Sequence, residues 1–191
     1  MSPTDKMVGI ASRVDFFAAL FDGCAGLIEF RALPSKARAF FRPTDHTGIE
    51  GFLTENQHQD LYGGVATRRD ASSGRLENCR HLGALFADID FKTTPEPAAR
   101  QGLARFPLRP SAIIHSGGGL HCYWFLREPL ELPDEVTHAK QLLRRLAVAV
   151  GGDLSAAEVA RVLRVPGTWN RKPEYGTPRS VRIESFEADA L

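Results

Sequence analysis

The second half of the chain alternates apolar and polar residues in a pattern that predicts four strands and two helices. The predicted strands are Gly83–Phe91, Ser111–His115, Leu120–Leu126 and Arg179–Phe186, and the predicted helices are Pro95–Arg105 and Pro133–Val150. Apolar residues recur at helical spacing in the second helix, and Gly151-Gly152 is typical of its end. The resulting order, β-α-β-β-α-β, is that of a ferredoxin-like or RNA-recognition-motif sheet.

The first 82 residues predict a smaller α/β unit packed against that sheet. Ser12 and Asp15 are spaced as the capping box of a short helix that ends at Gly23. Two strands, a weak helix and a polar loop follow, over Leu27–Leu33, Ala37–Arg42, Thr54–Leu61 and Arg68–Arg80, and Gly63-Gly64 would end the helix. We therefore expect one α+β domain over residues 1–191, with an N-terminal unit at 1–82 and a core at 83–191.

Composition and length exclude several classes of protein. A chain of 191 residues with 43% hydrophobic and 25% charged residues is ordinary for one globular domain and excludes a disordered chain. The apolar stretches are far shorter than a membrane span, so no membrane partner is expected. The three cysteines are odd in number and widely spaced, which favours a reducing cytoplasm over a disulfide framework.

Positive charge is concentrated locally although the formal net charge is only +1. Six basic residues and a single acid lie between Arg161 and Arg182, and four basic residues and no acid lie between Arg31 and Arg42. Such stretches can hold a polyanion, although each is also compatible with an ordinary solvated surface.

A D-x-D motif ends the first predicted core strand. Asp88 and Asp90 project from one face, because side chains alternate along a strand. Two neighbouring carboxylates repel each other, and a divalent cation removes that cost. The motif therefore favours a metal site, with two water-facing aspartates as the alternative.

A run of three glycines separates the next two strands. Gly117, Gly118 and Gly119 allow a close approach to a ligand, and such loops aim amide N–H groups at phosphate oxygens. A plain hairpin turn needs no such run. Ser116 and His121 flank the glycines, so this segment favours a phosphate-binding loop.

A third segment begins at Asp153, just beyond the end of the second core helix. The helix dipole does not favour an anion there, so Asp153 invites a compensating cation. Basic and amide side chains follow around a Pro-Gly-Thr turn: Arg164, Asn170, Arg171 and Lys172. These donors suit a triphosphate or a nucleic-acid backbone, and a basic surface loop is the alternative.

The order of the three motifs resembles the archaeo-eukaryotic primase superfamily, in particular the primase-polymerase domains of plasmid and phage replication proteins. The resemblance covers about Gly83 to Lys172. It implies a modified RNA-recognition-motif sheet and a metal site formed by Asp88, Asp90 and Asp153. The family often has a second acid five residues after the third aspartate, so Glu158 is the alternative to Asp153.

The resemblance also implies roles for the remaining motif residues. The nucleotide-binding residues would be Ser116, Gly117, Gly118, Gly119, His121, Arg164, Asn170 and Lys172. Arg171 and Arg179 flank the turn, and we expect them to be exposed and to contact DNA.

The implied reaction is template-dependent nucleotidyl transfer, for primer synthesis or extension during plasmid, phage or mobile-element replication. Two Mg²⁺ or Mn²⁺ ions, about 3.5–4 Å apart, would stabilise the attacking and leaving oxygens. Partners would be a single-stranded DNA template, NTPs or dNTPs, and a helicase domain or protein. One alternative is a non-catalytic module that binds single-stranded or origin DNA. The other is a rolling-circle nickase with Tyr123 as nucleophile.

Overall fold

The computed structural model describes residues 12–188, and the outermost ends of the predicted 1–82 and 83–191 units lie outside them. Over this range the chain forms ten strands and four α-helices. The helices are α1 (Arg13–Leu20), α2 (His46–Glu55), α3 (Glu96–Arg105) and α4 (Val136–Val150). The strands before α3 are β1 (Ile28–Leu33), β2 (Ala37–Phe41), β3 (Asp60–Gly64), β4 (Ala66–Arg68) and β5 (Cys79–Asp90). Those after it are β6 (Ala112–His115), β7 (Gly119–Glu131), β8 (Val162–Arg164), β9 (Thr168–Asn170) and β10 (Arg179–Phe186).

The strands form two antiparallel sheets, which confirms the predicted α+β class. The larger sheet has the order β4-β5-β7-β6-β10-β9, and the smaller has the order β2-β1-β3-β8. The final strand β10 pairs with β6, while β4 occupies the free edge of β5. The sheet therefore departs from the ferredoxin-like arrangement at its edges, with β10 beside β6 and β4 beside β5.

Neither sheet belongs to one half of the sequence. Strand β4 comes from the N-terminal half and joins the larger sheet, whereas β8 comes from the C-terminal half and pairs with β3. The predicted boundary at residue 82 therefore falls inside β5 and does not mark a break in the structure.

The two faces of the larger sheet are covered differently. Helices α3 and α4 pack on the face that carries Ala87, Ile89 and Trp124. On the opposite face, Phe16 of α1 packs against Tyr123, with ring centroids 5.1 Å apart. Further along that face the apolar side chains give way to polar ones, and the candidate site lies there.

Local signals explain most of the element boundaries. Ser12 and Asp15 form the predicted capping box of α1, and Gly151 ends α4 in a left-handed conformation with φ 73°. The two core helices and the strand Arg179–Phe186 are confirmed, although β5 and β7 are longer than expected.

The predicted helix over Thr54–Leu61 is wrong. The helix α2 lies upstream and begins after Asp45, whose side chain accepts a hydrogen bond from the Gly48 amide. The low helix propensity of Gly48 and Gly51 weakens the helical signal of α2 in the sequence. The Asp45 cap and the burial of Ile49 and Leu53 outweigh that low propensity. Gly63-Gly64 lies in β3 and ends no helix.

None of the helices described between residues 12 and 188 is long and apolar enough to span a membrane.

Candidate active site

The pairing of β5 with β7 brings the first two motifs together. Asp88 lies directly opposite His121, and Asp90 lies directly opposite Gly119. Opposite residues of an antiparallel pair share a face, so both carboxylates lie beside the glycine loop. They line a cavity of about 190 Å³ on the face that α3 does not cover.

The backbone of the glycine loop is fixed by hydrogen bonds from all sides. Asn170 Nδ2 donates to the Ser116 carbonyl, and the Arg179 guanidinium donates to the Gly117 carbonyl. The Phe91 amide donates to the Gly118 carbonyl, and the Ser116 amide donates to the Gly119 carbonyl. Every carbonyl of the loop therefore has an internal donor. None is left free to repel an anion, which favours binding of phosphate by the loop.

Two of the glycines lie in close contacts, Gly118 with a side chain and Gly119 with the backbone. A Cβ on Gly118 would lie 2.0 Å from Tyr175 Oη, and a Cβ on Gly119 would lie 2.2 Å from the Ile89 carbonyl oxygen. A side chain at position 118 would displace the Tyr175 ring, which lines the cavity, whereas a side chain at position 119 would press on the backbone of β5.

The third motif reaches the cavity through β8 and β9, which the sequence reading missed because each has only three residues. Strand β8 pairs with β3 in the smaller sheet, and β9 pairs with β10 in the larger one. The turn between them, with Gly167 at φ 77°, thus connects the two sheets. Three predicted residues of this segment line the cavity: Arg164, Asn170 and Lys172.

Arg164 is held firmly beside the cavity. Its guanidinium forms an ion pair with Asp60 and lies 4.9 Å from the centre of the Tyr62 ring. Its side chain is only 6% exposed, so the side chain is largely ordered before any ligand arrives. A cation fixed in this way is suited to binding an anion without further ordering cost.

His121 is buried next to the first aspartate. His121 Nε2 lies 3.6 Å from Asp88 Oδ1, and Arg161 Nη2 lies 3.7 Å from Asp88 Oδ2. Burial lowers the pKa of His121, and the Asp88 carboxylate opposes that shift. The imidazole is therefore neutral at pH 7, with one ring nitrogen directed towards Asp88.

The predicted third carboxylate is adjacent in the backbone but directed elsewhere. The Asp153 amide donates to the Asp88 carbonyl oxygen at 2.7 Å, while its carboxylate accepts hydrogen bonds from the Ser155 amide and hydroxyl. Glu158 forms an ion pair with Lys140 at 3.0 Å. Among residues 12–188, no three His, Cys, Asp or Glu side chains are grouped closely enough to hold a metal ion.

The two residues predicted to contact DNA take part in the site framework. The Arg179 guanidinium lies 3.9 Å from the centre of the Tyr175 ring and donates to the Gly117 carbonyl. Arg171 is half-buried, contrary to the expected exposure, because its amide donates to Asp60 and its guanidinium donates to the Gln57 carbonyl. Gly117 is the one member of the predicted nucleotide-binding set that does not line the cavity.

Three polar residues of the cavity wall were missed: Tyr62, Arg161 and Tyr175. Tyr62 stands on β3, far from the motifs in sequence, and no local pattern marks it. Arg161 belongs to the basic stretch noted in the sequence, and this was the available signal.

Three solved structures share the fold of this chain. The structure of the primase-polymerase AEP domain of cyanophage S-2L is similar, with a TM-score of 0.65 and 18% identity, covering 94% of this chain and 91% of that one. The structure of primase RepB' is similar with a TM-score of 0.58 and 14% identity, covering 94% of this chain and 58% of that one. The catalytic domain of primase RepB' in complex with initiator DNA is similar with a TM-score of 0.55 and 14% identity, covering 94% and 88%.

The family follows from the sequence match. Residues 84–189, more than half of the chain, match the model of the RepB DNA-primase N-terminal domain, and the chain belongs to that family. The predicted resemblance is thus confirmed at the level of the family. An uncharacterized protein of Methanocaldococcus jannaschii, MJECL28, is 28% identical over 131 residues, which are 62% of this chain and 10% of that protein. The chain therefore spans about a tenth of that relative.

Proposed function

We propose that the protein catalyses template-dependent nucleotidyl transfer on single-stranded DNA, in primer synthesis or primer extension. The observation that carries this proposal is the convergence of three separate sequence segments on one cavity. Carboxylates come from β5, and the glycine loop leads into β7. The cations come from the third segment, with Arg164 at the end of β8 and Lys172 just after β9. Membership of a DNA-primase family supports the same reaction.

Asp88 and Asp90 are the residues that would hold a divalent cation, Mg²⁺ or Mn²⁺. Both line the cavity from one face, and the basic side chains nearest to Asp88 leave its oxygens free, with His121 Nε2 at 3.6 Å and Arg161 Nη2 at 3.7 Å. One or two carboxylates together with substrate phosphates are the usual Mg²⁺ ligands, so this pair fits one ion. When bound, such ions neutralise charge on the phosphates and activate the attacking hydroxyl.

The second ion of the predicted mechanism depends on Asp153. We propose that its carboxylate turns towards Asp88 in the loaded site, because the two residues are already joined through their backbones. Glu158 is the weaker candidate, since Lys140 already neutralises it.

The remaining cavity residues bind and orient the nucleotide. The loop from Ser116 to Gly119 presents its backbone to the phosphates, and Arg164 and Lys172 supply positive charge. The neutral His121 can donate one hydrogen bond to a phosphate oxygen without bringing a second charge into the buried site. The protein thus contributes position and electrostatic stabilisation.

The expected partners are a single-stranded DNA template and NTPs or dNTPs, with a helicase domain or protein acting beside the primase. The similarity to a primase domain solved with initiator DNA supports a DNA partner. A replication role and the cysteine content both favour the cytoplasm.

We also propose that residues 1–191 form a single domain. The exchange of β4 and β8 between the two sheets means that neither half completes its own sheet alone. A cut at residue 82 would divide β5 and is expected to leave two unfolded halves.

A non-catalytic DNA-binding module is the second candidate. The enzyme is favoured over it because the nearest basic atoms are 3.6 Å and 3.7 Å from the Asp88 oxygens, which leaves this carboxylate free to bind a metal ion. The nickase alternative lacks an accessible nucleophile. Tyr123 is 3% exposed and packs against Phe16, and burial raises its pKa far above the usual range.

Primer extension on a single-stranded template tests the proposal. Asp88→Asn and Asp90→Asn should abolish incorporation in Mg²⁺ and in Mn²⁺, while their melting temperatures stay near that of the wild type. Asp134→Asn, an exposed carboxylate before α4, is the matched control and should extend primers normally. Incorporation at wild-type rates by either site variant would contradict the proposal.

A further inference from the structure

Four side chains form one row across the smaller sheet. Arg38 on β2 lies opposite Arg31 on β1, Arg31 lies opposite Tyr62 on β3, and Tyr62 lies opposite Arg164 on β8. Because directly opposed residues share a face, all four project from the same side of the sheet. The other side carries the buried Ile28, Phe30 and Ala32.

The inner end of this row is part of the candidate active site. Tyr62 and Arg164 line its cavity together with Asp88, Asp90 and His121. The row therefore leads from the surface of the protein directly to the carboxylates.

The outer end of the row opens into a second, basic cleft. Arg31 and Arg38 line it from the sheet, and the loop before β5 lines it with Ser72, Ser73, Gly74 and Arg75. Arg38 and Arg75 are exposed, and the Arg31 side chain is 37% exposed. We call this the arginine cleft.

The charge on this face exceeds what its own acids neutralise. Glu29 is fully buried beneath the cleft, where it pairs with Arg68 at 2.9 Å and Arg31 at 2.6 Å, with Arg38 at 3.9 Å. One carboxylate thus faces three guanidinium groups. Asp60 at the inner end is occupied by Arg164.

Two aromatic rings lie beside the arginines on the same face, Tyr62 within the row and Phe40 next to Arg38 on β2. The Arg38 guanidinium lies 5.4 Å from the centre of the Phe40 ring, and the Arg164 guanidinium lies 4.9 Å from the centre of the Tyr62 ring. Cationic side chains interleaved with aromatic rings are the pattern by which proteins bind single strands, whose bases are free to stack.

We propose that the row from Arg38 to Arg164, together with the arginine cleft, is the track along which a single nucleic-acid strand reaches the active site. The three strand spacings between its ends amount to roughly 14 Å, a length that about two to four phosphates span. A single strand is the occupant because its exposed bases match Phe40 and Tyr62. This inference rests on the proposed function and assigns the strand path that the proposed reaction requires.

The test measures binding of a fluorescent single-stranded oligonucleotide by anisotropy at several salt concentrations. The variants are Arg38→Gln, Arg75→Gln and the double variant, because both side chains are exposed and lie outside the cavity. Arg105→Gln is the matched control, since Arg105 is exposed on α3, on the far face of the larger sheet. Affinity for free nucleotide and primer extension at saturating template are measured on the same proteins.

Each cleft variant should reduce the slope of log affinity against log salt by about 0.7 and the double variant by about 1.4, with Arg105→Gln unchanged. Nucleotide affinity and extension at saturating template should stay at wild-type values. If the protein extends primers but the cleft variants keep the wild-type slope of log affinity against log salt, the track is overturned and the proposed function stands. Reduced slopes in a protein that incorporates no nucleotide would keep the track and overturn the proposed function. The same assay is repeated with a duplex oligonucleotide, and cleft variants that lose duplex affinity but keep single-strand affinity would overturn the single-strand occupant.

Discussion

His121 Nε2 lies 3.6 Å from Asp88 Oδ1 across the β5–β7 pair, while His121 Nδ1 is buried without a hydrogen-bond partner among residues 12–188. An imidazole in this position is costly to protonate, because burial removes its hydration and Arg164 and Arg161 repel a third positive charge. The free energy of folding therefore depends on the protonation of this histidine.

The pH dependence of stability follows from that cost. The pKa of His121 is lower in the folded chain than in the unfolded chain, so the unfolded state takes up the proton first. The contribution of the neutral His121 to the free energy of unfolding is complete above about pH 6.5, and it is lost as the pH falls below that value. Melting temperatures between pH 8 and pH 5 should fall less steeply for His121→Asn than for the wild type.

His138→Asn is the control for this measurement, because His138 is exposed on α4. His115, whose pKa burial also lowers, accounts for part of the remaining slope. Equal slopes for His121→Asn and the wild type would show that the histidine is protonated at no cost.

A second prediction concerns the pair formed by Arg179 and Tyr175. Arg179→Gln removes both the stacked guanidinium and the donor to the Gly117 carbonyl. A cation–π contact at an exposed site is worth about 0.5–1 kcal/mol, which corresponds to a two- to fivefold rise in KM for nucleotide. The sequence alone predicts a DNA contact for Arg179 that spares the nucleotide, so titrating nucleotide and template separately decides between the two roles.

Arg182→Gln is the matched control, since Arg182 is exposed on the same strand. A weaker salt dependence of DNA binding with an unchanged KM for nucleotide would favour the role expected from the sequence.

The third prediction compares two glycines. Gly119→Ala places a Cβ against the Ile89 carbonyl and should destabilise the fold by about 1–3 kcal/mol. Gly51→Ala, in the middle of α2 with open space around it, should stabilise the fold by about 0.5–1 kcal/mol. Chemical denaturation of both variants measures the difference, and a neutral Gly119→Ala would show that the loop can shift away from β5.

The features that were predicted correctly are those that neighbouring residues in the sequence specify. The capping box of α1, the amphipathic α4 and the D-x-D strand are each specified by neighbouring residues, and each was predicted. The convergence of the three motifs on one cavity agrees with the family that their order indicated.

What the sequence did not show depends on contacts between distant segments. Tyr62 enters the site only because β3 pairs with β8, a strand of three residues without periodicity. The half-burial of Arg171 depends on Asp60, which precedes it by 111 residues. The predicted exposure of Arg171 failed for that reason.

The last prediction separates two roles of Asp153. In the structure its carboxylate accepts from Ser155 and begins a short 3₁₀ turn over Leu154–Ala156, which is a capping role. Asparagine caps as well as aspartate but carries no charge. Asp153→Asn should therefore keep the melting temperature of the wild type. If Asp153 also binds metal, the same variant should lose incorporation, or require a much higher Mn²⁺ concentration for half-maximal rate.

Ser155→Ala should act in the opposite direction, because removing the hydroxyl donor frees the carboxylate to turn towards Asp88 and lowers the Mn²⁺ requirement. Glu158→Gln should leave the Mn²⁺ requirement unchanged. Full activity of Asp153→Asn at wild-type Mn²⁺ would leave Asp153 as a cap, and the metal site would consist of Asp88 and Asp90 with the phosphates of the substrate.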